Sequence, residues 1–181
     1  KRTMAFNINE IKSQLAGGGA RQNLFQVRIT NPANGSADIK VPFLVQASQI
    51  PAAGLGTIQV PYFGRTIKLA GDRQYAPWEV LVINDEDFKI RNAMEEWSNK
   101  INRFQGNIRD LANYKSQAQV IQYGKDGRIL REYEFVGLWP ANISEIGLDW
   151  GANDQIETFG VTFEFDFWRV SGGITGNAGG Q

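Results

Sequence analysis

The chain contains 181 residues, a length that fits a single domain. Its 19 Lys and Arg residues balance 19 Asp and Glu residues, and a net charge of +0 argues against a dedicated DNA-binding domain, which is usually basic. The sequence has no Cys and no His, which excludes disulfides and thiolate metal sites and disfavours zinc chemistry and Ser-His or Cys-His catalysis. No apolar run approaches the roughly 18 residues of a membrane helix, so we expect no membrane-spanning segment.

The first half of the chain is typical of one short helix followed by short strands. Residues 7–15 carry a narrow apolar stripe at helical spacing, and Gly17-Gly18-Gly19 ends it. Pro42 indicates an edge or bulge in one of the strands. Residues 51–56 are predicted as a loop, and 70–73 as a turn. The predicted strands cover residues 24–30, 39–47, 57–62 and 65–69.

The second half contains a longer helix and longer strands. Residues 78–83 are apolar at nearly every position, which is typical of a strand buried on both faces. Helical spacing of apolar residues predicts a helix over 86–104. Asp126-Gly127 between two alternating runs predicts a hairpin of strands 117–123 and 128–136. Gly137 to Pro140 is predicted as a turn, and alternation from 155 to 170 predicts one long final strand.

Together these elements predict an α+β, mainly β fold: two packed antiparallel sheets or a β-barrel, with one flanking α-helix over an open end. We expect residues 1–22 to form an N-terminal arm with a short helix, residues 23–170 the β domain, and residues 171–181 a flexible glycine-rich tail. Such long strands leave sheet edges that one helix cannot cover. Oligomerisation by edge pairing is therefore physically attractive.

Candidate catalytic signals are weak. The pairs Glu132/Glu134 and Glu164/Asp166 have the i,i+2 spacing that puts two carboxylates on one face of a strand, which a glycosidase could use. Ordinary alternation on a solvated strand face explains them better. The glycines at 17–19 and 54–56 lack the other residues of a phosphate-binding loop. The sequence therefore predicts a protein that is not an enzyme, with no catalytic residues, no metal site and no cofactor.

Several segments, in order and at similar separations, resemble the tail tube protein of contractile-tailed (myovirus-type) bacteriophages. The resemblance runs from about 23 to 168. It rests on the following segments: Asn23-Leu24-Phe25-Gln26-Val27, Ala70-Gly71-Asp72-Arg73, Trp78-Glu79-Val80-Leu81-Val82-Ile83-Asn84-Asp85-Glu86, Gly137-Leu138-Trp139-Pro140-Ala141-Asn142, Leu148-Asp149-Trp150, Ile156-Glu157-Thr158-Phe159-Gly160-Val161-Thr162 and Asp166-Phe167-Trp168.

The resemblance implies a structural subunit whose hexameric rings stack into a hollow tube, with sheets of neighbouring subunits joined around the channel. It implies as partners copies of the chain itself, the sheath protein, baseplate and tube-terminator proteins, the tape-measure protein and viral DNA in transit without specific binding. The expected location is the virion tail, assembled in the cytoplasm of the host bacterium. Alternatives are a baseplate–tube junction protein, the tube of a related contractile injection or type VI secretion system, or, in a different class, a carbohydrate-binding or hydrolysing β-sandwich.

Two sets of residues are candidates for the assembled tube. A conduit for DNA should have a neutral-to-acidic lining, because a basic one would hold phosphates. Polar strand faces can supply it from either sheet, through Gln117, Gln119, Thr162, Glu164 and Asp166, or through Glu132 and Glu134. Exposed apolar residues mark contact sites between subunits. The candidates for such stacking contacts are Ile8, Ile11, Leu15, Ile50, Leu55, Ile58 and Tyr62.

Overall fold

A computed structural model describes residues 8–103 and 113–179, and it contains three α-helices and nine β-strands within those ranges. The helices are α1 (Ile8–Gln14), α2 (Val41–Leu44) and α3 (Lys89–Ile101). The strands are β1 (Phe25–Ile29), β2 (Val45–Ser48), β3 (Ala53–Tyr62), β4 (Arg65–Tyr75), β5 (Trp78–Ile83), β6 (Ser116–Tyr123), β7 (Ile129–Ile143), β8 (Thr158–Glu164) and β9 (Phe167–Gly172).

Seven of the strands form two antiparallel sheets that share β7, and β3 and β4 pair only with each other. The first half of β7 pairs with β6 and β9, and β6 pairs with β1. The second half of β7 pairs with β8, which continues through β5 to β2. We call the order β1-β6-β7-β9 sheet 1 and the order β7-β8-β5-β2 sheet 2. The strands at the two ends, β1 and β2, do not pair in the described chain, so the two-sheet prediction is confirmed but the barrel is not closed.

The core lies between the two sheets. The indole of Trp78 on sheet 2 stacks on the ring of Phe135 on sheet 1, with centroids 4.4 Å apart, and Phe163 lies against the same indole. The indole of Trp97 on α3 packs 6.2 Å from the ring of Phe163, and its Nε1 donates a hydrogen bond to the carbonyl of Tyr114. Helix α3 therefore contributes to the same core, as expected for a flanking helix.

Three predictions in the first half of the chain are wrong. Residues 41–44 form the short helix α2 rather than a strand, because Pro42 lies in the first turn, where its fixed φ and missing N–H suit a helix. The predicted loop at 51–56 and turn at 70–73 belong mostly to β3 and β4, which pair over a long register. The glycines there mark a bulge: Gly71 lies so close to Gly56 that a Cβ would approach its carbonyl to 3.2 Å.

Corrections in the second half concern burial and strand ends. Strand β5 is buried on one face, while Glu79 and Leu81 are exposed on the other. Helix α3 begins at Lys89 and ends at Ile101, inside the predicted span, whose last residue lies outside the described residues. The segment from Gly137 to Pro140 does not end the strand, since β7 continues to Ile143.

The predicted long final strand is two strands. A break at 165–166 separates β8, which pairs in sheet 2, from β9, which pairs in sheet 1. The break changes the facing of the side chains: Phe159 and Phe163 are buried, whereas Phe167 is exposed and Val170 is buried instead. Gly137 lies at the same level on β7, with a φ of 73°, where that strand passes from one sheet to the other.

Candidate functional site

The β3–β4 hairpin extends away from the two sheets and is exposed along nearly its whole length. It is anchored at its base, where the ring of Tyr75 packs 5.7 Å from that of Phe165 and 6.3 Å from that of Trp168. Two strands of 10 and 11 residues correspond to a ribbon of about 30 Å. A hairpin without a supporting layer is only marginally stable in water, so this one presents surface for another protein to cover.

The two faces of the hairpin differ in chemistry. Residues directly opposite one another on paired strands share a face. One face therefore carries the exposed apolar pairs Ile58–Leu69 and Val60–Ile67, and Tyr62 next to Arg65. The other face carries the polar pair Gln59–Lys68 and the mixed pairs Pro61–Thr66 and Thr57–Ala70. Among the stacking candidates, Ile58 and Tyr62 thus lie on one apolar strip, and Leu55 lies on the same strand nearer the base.

The remaining stacking candidates lie elsewhere. Ile8, Ile11 and Leu15 are at least half exposed on and just after α1. Ile50 differs from them, because it is only partly exposed and packs against the main core. The sequence pattern missed Phe63 at the hairpin tip, which is 91% exposed; its position in a turn between two alternating strands was the available signal.

The candidate lining residues divide between the two sheets. Gln117 and Gln119 lie on the outer face of sheet 1 together with Glu132 and Glu134, since Gln119 is opposite Glu134 and lies between the buried residues Ala118 and Val120. Arg28 and Arg169 flank this row on β1 and β9, and the Arg169 Nε lies 2.7 Å from the Glu134 Oε2. The outer face of sheet 1 therefore carries both signs of charge.

The outer face of sheet 2 is different. Thr162 and Glu164 lie there with Glu79, because Glu79 is opposite Thr162 and their neighbours along each strand are buried. The segments of β2, β5, β8 and β7 that form this sheet contain no Lys or Arg. A shallow depression of about 330 Å³ crosses this face beside Gly160, whose N–H donates a hydrogen bond of 2.8 Å to the Ser144 Oγ.

Asp166 lies on neither face but in the break between β8 and β9. Its carboxylate accepts hydrogen bonds of 2.6 and 2.9 Å from the Lys115 Nζ, and this interaction raises the pKa of Lys115. Its backbone N–H donates to the carbonyl of Val136, and its side chain lies over Gly137. Asp166 therefore fixes the position at which β7, and the chain between β8 and β9, pass from one sheet to the other.

The described residues offer little for catalysis. They contain no group of three or more acidic side chains that could hold a metal ion. Glu134 of the first carboxylate pair is engaged by Arg169, and Asp166 of the second pair by Lys115. Lys40 contacts Asp85 and Asp87, and its hydrogen bond lowers the pKa of Asp87 to about 2. The Arg169 pair links β9 to β7, and the Lys40 and Lys115 pairs link loop residues to neighbouring elements.

No helix among the described residues has both the length and the apolar character needed to cross a bilayer.

Comparison with known proteins identifies the family that shares this sequence. Residues 20–171 match the family described as phage tail tube protein. The chain is 38% identical over 158 residues to tail tube protein gp19 of Enterobacteria phage T4, covering 85% of this chain and 93% of that protein. It is 28% identical over 160 residues to a tail tube protein of Serratia phage KSP90, covering 84% and 90%.

Solved structures share the fold at lower identity. The cap that terminates the anti-feeding prophage tube is similar with a TM-score of 0.62 and 16% identity, over 83% of this chain and 89% of that chain. A chain of the PVC sheath-tube complex, from an extracellular contractile injection system, is similar with a TM-score of 0.57 and 12% identity, over 91% and 97%. The sequence matches span the two sheets, the hairpin and helix α3, and this chain belongs to the phage tail tube protein family.

Proposed function

We propose that this chain is the repeating structural subunit of a contractile phage tail, in which hexameric rings stack into a hollow tube. The observation that carries the proposal is the long β3–β4 hairpin, whose apolar face has no partner within the described subunit. Family membership indicates a structural rather than an enzymatic role. Open sheet edges at β1 and β2 provide a second reason for the chain to associate with copies of itself.

The hairpin accounts for cohesion between subunits. Burying its apolar strip against a neighbour removes the exposed parts of Ile58, Val60 and Ile67 from water. Because each is only about half exposed, each contributes roughly half of the 1.5–3 kcal/mol that burial of a fully exposed side chain is worth. A contact between a projecting element of one copy and a body surface of the next is heterologous, so it closes into rings or continues as a filament. The exposed residues Ile8, Ile11, Leu15, Leu55 and Tyr62 enlarge the surface available for stacking.

The outer face of sheet 2 is the better candidate for the channel lining. Its strands carry Glu79 and Glu164 and no basic residue, so the face repels a phosphate backbone. The outer face of sheet 1 includes Arg28 as well as Arg169, which pairs with Glu134, so it is less repulsive to DNA than the face without basic residues. We therefore assign Thr162 and Glu164 to the lumen, and place Gln117 and Gln119 on the opposite wall.

The tube requires further partners. The related chain in the PVC sheath-tube complex supports a sheath protein around this tube, and the related anti-feeding prophage cap supports a terminator at its end. We further propose baseplate proteins at the other end, a tape-measure protein and then viral DNA inside the lumen, and assembly in the host cytoplasm. The cap itself is a second candidate role, because it shares this fold.

Electron microscopy of the purified chain tests the assembly and separates the two roles. A tube subunit forms rings and long tubes on its own or from a seed, whereas a cap binds tube ends without elongating them. Ile58→Asp should abolish tube formation while the circular dichroism spectrum stays unchanged. Gln59→Asp is the matched control, since it adds the same charge to the next residue but on the polar face. Equal loss of tubes in both variants would contradict the role of the apolar strip.

The absence of cysteine from the chain permits a direct test of the lining. In assembled tubes, Thr162→Cys should react with a small maleimide but remain inaccessible to streptavidin after biotin-maleimide labelling, because streptavidin cannot enter the channel. Gln117→Cys, on the outer face of sheet 1, is the comparison. Streptavidin bound along the tube wall through position 162 would contradict the assignment.

A further inference from the structure

One end of the subunit contains an apolar cavity with a basic rim. It has a volume of about 500 Å³ and lies between the turn after α1, the β6–β7 turn and the segment after β9. Its apolar lining includes Leu24, Leu130 and Ile174. Apolar clefts of roughly 300–1,000 Å³ are the usual size of binding sites, and this one has room for a large aromatic side chain.

The rim of this cavity is positively charged. Arg21, Lys125 and Arg128 line it. The acidic lining residue, Asp126, forms an ion pair with Arg128, so the rim keeps a net positive charge. Gly17 and Gly19 also line the cavity and present no side chain there. The cavity is therefore suited to an apolar group carried on an acidic segment.

The other end of the subunit carries such a group. The β7–β8 connection presents Trp150 fully exposed, and Leu148 is 84% exposed beside it. Asp149 holds this tip in a tight turn: its carbonyl accepts a hydrogen bond from the Ala152 N–H, and its Oδ1 accepts a 2.9 Å bond from the Gly151 N–H. An indole exposed to water on a fixed turn is unfavourable in the isolated subunit. Burying a Trp side chain removes roughly 150–250 Å² of accessible surface from water.

The same connection is acidic. Residues 144–157 contain no Lys or Arg, and their acidic residues are Glu145, Asp149, Asp154 and Glu157. The charge of the connection is thus opposite to that of the cavity rim. Attraction of this kind favours the correct pairing and speeds encounter between surfaces.

The two features lie at opposite ends of β7. Arg128 and Leu130 at the start of the strand line the cavity, and Ser144 follows its last residue, where its N–H donates to the Gly160 carbonyl. The 15 residues of β7 span a contour of about 45 Å. When sheets join side by side into a ring, their strands tilt roughly 35–45° from the axis, so strand ends face the rings above and below. The cavity of one ring then faces the β7–β8 connection of the next.

We propose that Trp150 of one copy docks into the basic-rimmed cavity of a second copy in the adjacent ring. This inference rests on the proposed tube and names the contact that joins its rings. The indole occupies the space lined by Leu24, Leu130 and Ile174, and Asp149 lies against Lys125 and Arg21. The contact is heterologous and head-to-tail, so each subunit uses its cavity once and its Trp150 once.

Seeded tube growth measures this contact. Trp150→Ala should raise the critical concentration for elongation at least about tenfold, as expected for a buried aromatic anchor, while rings still form. Ile156→Ala, an exposed apolar residue on the same connection, is the matched control and should have little effect. Ile174→Trp, which fills the cavity from its own lining, should inhibit elongation to a similar extent. Subtracting the fluorescence spectrum of Trp150→Phe from that of the wild type isolates the emission of Trp150. This emission should shift to shorter wavelength on assembly.

Charge exchange identifies the partner surface. Lys125→Glu should slow elongation, because it places a negative charge against the acidic β7–β8 connection. Adding Asp154→Lys to the same chain should restore elongation in part, because it puts a positive charge on that connection and leaves the Asp149 turn intact. If Trp150→Ala elongates normally, or the indole stays accessible to acrylamide in tubes, the inference is overturned although the tube stands. If cavity variants stop elongation but Trp150→Ala does not, another segment occupies the cavity and the inference is again wrong. Absence of rings and tubes in the wild type would instead overturn the proposed function.

Discussion

Substitution of Gly137 by Ala tests how the two sheets are joined. Gly137 has a φ of 73°, and a non-glycine residue in this left-handed region costs roughly 1–2 kcal/mol. A Cβ there would also lie 2.1 Å from the Asp166 Oδ2 and 3.2 Å from the Asp166 Cβ. The carboxylate would have to move away from Lys115, which costs roughly a further 0.2–1 kcal/mol because this pair is half exposed. We expect Gly137→Ala to lower the free energy of unfolding by about 1–3 kcal/mol.

Gly127→Ala is the control for this prediction. Gly127 has a φ of 79° in the β6–β7 turn, and nothing lies within 4 Å of its added Cβ, so this variant measures the backbone cost alone. Urea unfolding of the unassembled chain reports both variants, with a midpoint shift of about 1 M for Gly137→Ala at an m value of about 2 kcal/mol/M. Asp166→Ala should lower the free energy of unfolding less in the Gly137→Ala variant than in the wild type. If Gly137→Ala is no more destabilised than Gly127→Ala, the Asp166 corner does not constrain the strands as described.

Three further predictions concern the core, acid stability and assembly. Trp78→Ala should lower the free energy of unfolding by about 3–5 kcal/mol in urea, because it leaves a cavity against Phe135; a loss below 1 kcal/mol would contradict the stacked core. The Lys40 hydrogen bond depresses the pKa of Asp87 to about 2, so its stabilisation is present above the usual value of 3.8 and is lost as pH falls through about 2. Asp87→Asn should therefore flatten the fall in melting temperature between about pH 5 and 2, and an unchanged slope would refute this. Removal of residues 1–18 should impair tube growth in electron micrographs while the circular dichroism spectrum is kept, and normal growth would reject a role for the N-terminal arm.

The sequence predicted elements whose signals are local. Asp126-Gly127 specifies the β6–β7 turn through its own backbone preferences, and the apolar spacing around Trp97 is set by the period of helix α3. Pro42 was ambiguous, because a strand edge and the first turn of a helix both tolerate its missing N–H.

Features that depend on contacts between distant residues could not be predicted from the local sequence pattern. Alternation runs through Asp166 without interruption, so nothing in the pattern marks the change from sheet 2 to sheet 1, which depends on contacts with Lys115 and Gly137. Glycines at 56 and 71 indicated turns, whereas paired across two strands they form a bulge. The polar faces were identified, but their assignment to different sheets required the pairing of β6 and β8.

Strand β7 has a mechanical consequence for a subunit of this kind. Its backbone runs unbroken from one layer of the sandwich into the other. Sliding the layers past each other would therefore require bending or stretching a covalent chain, rather than only moving apolar side chains across an interface. In the proposed tube, a load along the length would thus pass between the two sheets through peptide bonds within every subunit.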